Sequence, residues 1–156
     1  MRVFIDSSIF IYHFSGASQD CRGLLERCEA GEVKGATSVV VLAEVAHRLM
    51  LLEALSSGLV RPPNAVKKLR RRPELVRRLR LYQDRVEQIP LMGVEVLPAG
   101  LATLERSADV RRRHGLLVND SLVVAAAEAA QIGALASADS DFRRVKELKL
   151  YEPADL

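Results

Sequence analysis

Four carboxylates stand where a folding chain tolerates them least. Asp6 separates Val3-Phe4-Ile5 from Ile9-Phe10-Ile11, and Glu44 sits between Val39-Val40-Val41-Leu42-Ala43 and Val45-Ala46. Asp120 divides the Gly115–Asn119 stretch from Leu122 through Ala127, and Asp139 closes Ala134-Leu135-Ala136-Ser137-Ala138. An ionised carboxylate beside an apolar core is costly unless it is paired or bound to a metal. No Lys or Arg falls inside any of these runs, so a cation is the favoured partner. A donor set made only of oxygen selects Mg²⁺ or Mn²⁺ over zinc, which prefers His and Cys.

Taken singly, each acid also has a plainer role. Asp6 and Asp120 suit helix N-caps, Glu44 can pair with Arg48 at i+4, and Asp139 with Asp141 fits a turn in Ser-Ala-Asp-Ser-Asp. Glu44 is the hardest to explain that way, because a mid-helix acid among apolar neighbours caps nothing. Glu44-x-x-His47 matches half of a di-iron bundle motif, but no second copy exists. His13 and His114 have no ligand-like spacing, and no P-loop, GxGxxG, HExxH or CxxC is present.

The elements that must position these acids are short. Apolar runs at 3–5, 34–37, 94–97, 134–137 and 149–151 read as strands. Helical patterns cover 9–14, 18–30, 38–55, 64–72, 73–88, 100–113 and 119–131, with a helical turn at 141–145. Strands alternating with helices indicate a three-layer α/β/α sandwich around a central parallel sheet. Asp6 and Asp139 then fall just past the C-terminal ends of strands, where open parallel sheets place their sites. The 57–90 segment is helical throughout and is expected to form a hairpin insert within a single domain spanning 1–156.

In order and spacing, VFIDSSIFIYHF (3–14), SVVVLAEVAHRL (38–49) and LLVNDSLVVAAAEAAQIGALASADSDF (116–142) together resemble the PIN domain family. The likeness is particularly to the VapC-type toxins of prokaryotic toxin–antitoxin pairs. It covers nearly the whole chain and implies a PIN-like α/β/α fold with metal-dependent endoribonuclease activity. By position it makes Asp6, Glu44 and Asp120 the central catalytic and metal-binding acids and Asp139 the fourth. Asp141 is auxiliary or exchanges roles with Asp139. Ser8 stands where many members have Asn, and Ser137 where many have Thr, and both hydroxyls can orient the acids. The resemblance further implies one or two Mg²⁺ (or Mn²⁺) ions, a metal-activated water as nucleophile, an RNA substrate, an antitoxin partner and a homodimer. Rival expectations are a PIN-type nuclease of RNA processing without an antitoxin, and a non-catalytic RNA- or protein-binding module.

Composition is that of an ordinary folded protein: 156 residues, 49% apolar and 28% charged. No apolar run approaches the length of a membrane span, and a secretory leader is not apparent at the start. Cys21 and Cys28, about two helical turns apart, are too distant for a disulfide and read as thiols of a reduced, cytoplasmic protein. The net charge of +3 conceals an asymmetry. Residues 61–80 hold nine Lys/Arg and one acid, whereas 14 basic residues face 19 acidic ones elsewhere. Such a block points to a polyanion, with Lys67, Lys68, Arg70, Arg71, Arg72, Arg77, Arg78 and Arg80 as phosphate-binding candidates. Arg111, Arg112 and Arg113 form a second cluster nearer Asp120 in sequence. With 4% aromatic residues and no Trp, base stacking is expected to be minor.

Overall fold

The computed structural model describes residues 1–156. Five parallel strands form one sheet: β1 (Arg2–Ile5), β2 (Lys34–Ser38), β3 (Val94–Leu97), β4 (Ala134–Ala136) and β5 (Lys149–Tyr151), in the order β3-β2-β1-β4-β5. Phe4 is paired on one side with Ala36 and on the other with Leu135, which puts β1 at the centre. Val3, Phe4 and Ile5 are accordingly buried, as a strand covered on both faces requires.

Helices α1 (Ser7–Ser15) and α2 (Gln19–Glu29) connect β1 to β2; α3 (Val39–Ser56), α4 (Ala65–Arg71), α5 (Pro73–Val76) and α6 (Leu81–Leu91) connect β2 to β3. Helices α7 (Leu101–His114) and α8 (Val118–Ala129) lead from β3 to β4. The chain thus moves one way from β1 to β3 and then crosses to the other side for β4. With right-handed crossovers the two sets of helices cover opposite faces, giving the expected three layers. The reversal between β1 and β4 opens a crevice at their C-terminal ends.

Packing fixes the layers closely. Gly35 of β2 admits α2: a Cβ there would lie 3.0 Å from both Cys28 Sγ and Ile5 Cδ1. Gly93 (φ +73°) turns α6 into β3 so near α2 that a Cβ would sit 2.5 Å from the Cys28 carbonyl oxygen. Cys21 and Cys28 are buried, unbridged thiols in the main core.

The 57–90 segment differs from a simple hairpin. Helix 73–88, read from the sequence as continuous, is broken at 77–80 into α5 and α6. Leu75, Leu79, Tyr82, Val86 and Ile89 repeat like a single stripe, yet they serve two cores. Leu75 and Leu79 join Ala54, Val60 and Leu69 in a small separate cluster, whereas Val86 and Ile89 pack in the main core. The chain must turn between the two, and Glu53 of α3 caps the turn by accepting the Arg80 (3.0 Å) and Tyr82 (2.9 Å) backbone N–H groups. Only the part before α6 stands apart as an insert. No helix is long and apolar enough to cross a membrane.

Candidate metal centre

Asp6, Glu44, Asp120 and Asp139 line one cleft of about 250 Å³, together with Ser7, Ser8, Ile11, Tyr12, Arg48 and Ala138. Each acid arrives on a different element. Asp6 leaves the end of β1, held where its backbone N–H donates to the Ala136 carbonyl (3.0 Å). Asp139 follows β4, Glu44 projects from α3 one and a half turns in, and Asp120 sits in the first turn of α8. The N-cap reading and the site reading of Asp6 both hold, since it caps α1 through the Ser8 N–H and lines the cleft. Asp139 likewise caps the 3₁₀ turn Ser140–Arg144. Asp120 is not a cap: α8 begins at Val118 without a side-chain cap.

Asp6, only 6% exposed, is clamped by hydroxyls. Ser8 Oγ accepts the Ala138 N–H (3.0 Å) and Ser137 Oγ accepts the Asp139 N–H (3.0 Å). Each hydroxyl proton is therefore free to point the other way, and both point at Asp6 Oδ2, at 2.8 and 2.7 Å. Oδ1 receives only a long 3.4 Å contact from Ser7 Oγ. The clamp saturates one oxygen and leaves the other with only that long contact.

Electrostatic crowding is visible in the acids. Burial, then the charges of Asp139, Asp6, Glu44 and Asp141, push the Asp120 carboxyl up to about 6. Burial and the Asp6 charge raise Glu44 as well, against the Ser7 hydroxyl and the Arg48 charge, which pull it down. Such groups lack positive charge. No three of the carboxylates gather around one point closely enough to hold an ion directly. They ring the cleft instead, which suits Mg²⁺: it keeps several waters and takes one or two carboxylates. The all-oxygen donor set and the shared negative charge fit such an ion. A larger cavity of about 440 Å³ beside α2 and β5 is lined mainly by apolar groups such as Met1, Val3, Leu24 and Tyr151 and holds none of the four acids.

Other sequence candidates divide. Asp141 lies outside the cleft lining and pairs with Arg144 (2.8 Å). Arg111 donates to Ser107 and Ser121 Oγ, tying α7 to the start of α8. Arg112 and Arg113 pair with Asp109, and Arg113 also with Glu128. The charges of Arg112 and Arg113 are thus answered within the fold. In the insert Arg72 pairs with Glu74 and Lys68 donates to the Arg61 carbonyl, while Lys67, Arg70, Arg71, Arg77 and Arg78 are exposed. Sequence reasoning missed Ser7, and took Arg48 only as a partner for Glu44; its position one turn after Glu44 was the available signal.

Comparison with known proteins bears on the family and the fold. The family model described as PIN domain matches residues 3–148. The chain is 27% identical over 151 residues to ribonuclease VapC2 of Methanocaldococcus jannaschii, covering 97% of this chain and 93% of that protein. It is 24% identical over 150 residues to ribonuclease VapC6 of the same organism, covering 96% of each. A solved structure of similar fold is a chain of VapBC2 from Rickettsia felis bound to a promoter DNA fragment. That likeness has a TM-score of 0.62 and 17% identity, and covers 98% of this chain and 99% of that one.

Proposed function

The chain belongs to the PIN domain family, and from that premise we propose that it is a Mg²⁺- or Mn²⁺-dependent endoribonuclease, the toxin of a VapBC-type pair. The observation that carries this reading is the convergence of Asp6, Glu44, Asp120 and Asp139, from four separate elements, on one cleft. The ribonuclease names of the similar archaeal proteins support the substrate, and the toxin–antitoxin complex of like fold supports an antitoxin partner. The toxin acts in the cytoplasm, as a homodimer; Leu101 and Leu104, exposed one turn apart on α7, offer an apolar strip to a second copy.

One or two of Asp6, Glu44, Asp120 and Asp139 would hold the metal directly, and the others would act through its bound waters. When bound, it supplies charge neutralisation, a more acidic water and stabilisation of the negative charge that builds on the phosphate during in-line attack. The chain's own part is positional. Ser8 and Ser137 lock Asp6 through Oδ2 and leave Oδ1 lightly bonded, and Asp139 is held through its N–H on Ser137. Asp120, raised to about 6 by burial and its acidic neighbours, is the acid that a bound cation would relieve most. Arg48 places a positive charge on the cleft wall. Cleavage leaves a 5′-phosphate and a 3′-hydroxyl.

The test is cleavage of single-stranded RNA by purified protein with Mg²⁺, Mn²⁺ or EDTA. Asp120→Asn is expected to abolish cleavage while melting at or above the wild-type temperature, because it removes a repelled charge. Full activity of that variant, or of the wild type in EDTA, would refute the assignment.

A further inference from the structure

One face of α3 joins the acid cleft to the basic insert. Glu44, Arg48, Leu51 and Leu55, spaced four, three and four apart, form a single helical stripe. Glu44 and Arg48 line the cleft, and Leu51 and Leu55 pack against the small core of the insert. The insert therefore sits about 16 Å along α3 from Glu44, on the cleft's side of the helix.

Arg48 occupies the junction. A Glu followed by Arg at i+4 is the favourable order for an ion pair. Here, however, the two form no ion pair, and Arg48 acts on Glu44 only as a nearby charge. Arg48 is an exposed residue of the cleft wall. Beyond it, the insert presents Lys67, Arg70, Arg71, Arg77 and Arg78, all exposed, with Arg72–Glu74 as its ion pair. No large hydrophobic side chain is exposed between residues 61 and 80, and the next along the chain, Leu81, stands singly at the start of α6.

We propose that Arg48 and the insert form one track for the backbone of an RNA strand, gripping phosphates a few nucleotides away from the one presented to the acids. This rests on the nuclease reading and adds to it where the substrate lies. The charge is needed because four carboxylates repel a polyanion from the cleft they build. Guanidinium groups fork phosphate oxygens. A protein partner would need an apolar centre ringed by polar groups, and this surface is charge without such a centre. The track implies little sequence preference along the gripped segment, since phosphates carry no base information.

The experiment compares fluorescein-labelled single-stranded RNAs of about five and about fifteen nucleotides. Binding is read by anisotropy with Ca²⁺ and cleavage by gel with Mn²⁺, across a salt series. The wild type is set against Arg70→Gln/Arg71→Gln/Arg77→Gln/Arg78→Gln, against its all-Lys counterpart, and against Arg48→Ala. The longer RNA is expected to bind the wild type on the order of tenfold tighter. The Gln variant should lose that advantage, with kcat on the short RNA unchanged and the salt slope reduced by about 0.7 per lost phosphate contact. The Lys variant should keep most of the advantage, and Arg48→Ala should raise KM for both RNAs. Wild-type affinity and salt slope in the Gln variant would overturn the proposal. If that variant instead lost neutralisation by an antitoxin, the insert would belong to the protein partner. A wild type without metal-dependent cleavage would sink the nuclease reading, while the anisotropy would still decide the track.

Discussion

At the scale of single residues, the decisive atom is Asp6 Oδ2. Two hydroxyls spend their only protons on it, so the carboxylate cannot rotate without breaking both bonds. Ser137 is fully buried, and removing its oxygen strands the Asp139 N–H and takes from Asp6 Oδ2 one of its two hydroxyl donors. Ser137→Ala is therefore expected to destabilise the fold by about 1–3 kcal/mol. It should also lower kcat by about 10- to 100-fold, as loss of a group that orients metal ligands usually does. Ser137→Thr, which keeps the hydroxyl, should retain most of the activity. Thermal melts and steady-state kinetics on the two variants check this, and equal losses would mean that packing, not the hydroxyl, matters.

Among the elements, α3 does most to organise the molecule. It carries Glu44 into the cleft, supports the small core of the insert, and through Glu53 caps the turn into α6. The insert's core is five buried residues set apart from the 28 of the main one, so it should open on its own. Leu79→Ala is expected to cost about 2–3 kcal/mol, felt locally. Amide exchange should quicken in 65–80 while the amides of β1 and β4 keep their protection. Uniform loss of protection across the sheet would show that the insert and the sheet unfold together.

Across the whole molecule, the cleft stores like-charge repulsion that pH or metal can relieve. Asp120 is raised from 3.8 to about 6, so the folded state binds its proton more tightly than the unfolded state does. Its contribution to stability is then largest below the unfolded value and is lost as pH rises through about 6. Metal-free protein should melt higher at pH 5 than at pH 7, and Asp120→Asn should show a smaller difference. Adding Mn²⁺ at about a hundred times its dissociation constant should stabilise the neutral protein by about 2.7 kcal/mol. Melting curves across pH, with and without Mn²⁺, test both; a larger stability at pH 7 than at pH 5 in the metal-free wild type would contradict the sign.

The sequence by itself determined the layered fold and singled out four acids that the structure brings to one cleft, because each acid breaks an apolar run and each strand is short and bounded. It could not decide between rival roles for one residue: Asp6 and Asp139 both cap a turn and line the cleft, and Asp141 proved to face Arg144. Only the tertiary structure separated Arg112 and Arg113, which have ion pairs within the fold, and Arg111, held by two serine hydroxyls, from Arg70, Arg71, Arg77 and Arg78, which are exposed and have no ion pair. It also broke the 73–88 helix and enlisted Arg48 at the cleft wall. The reason is the same in each case. Periodicity records which side of an element is apolar, but which core that side meets, and which charge lies across from another, depends on contacts between residues far apart in the chain.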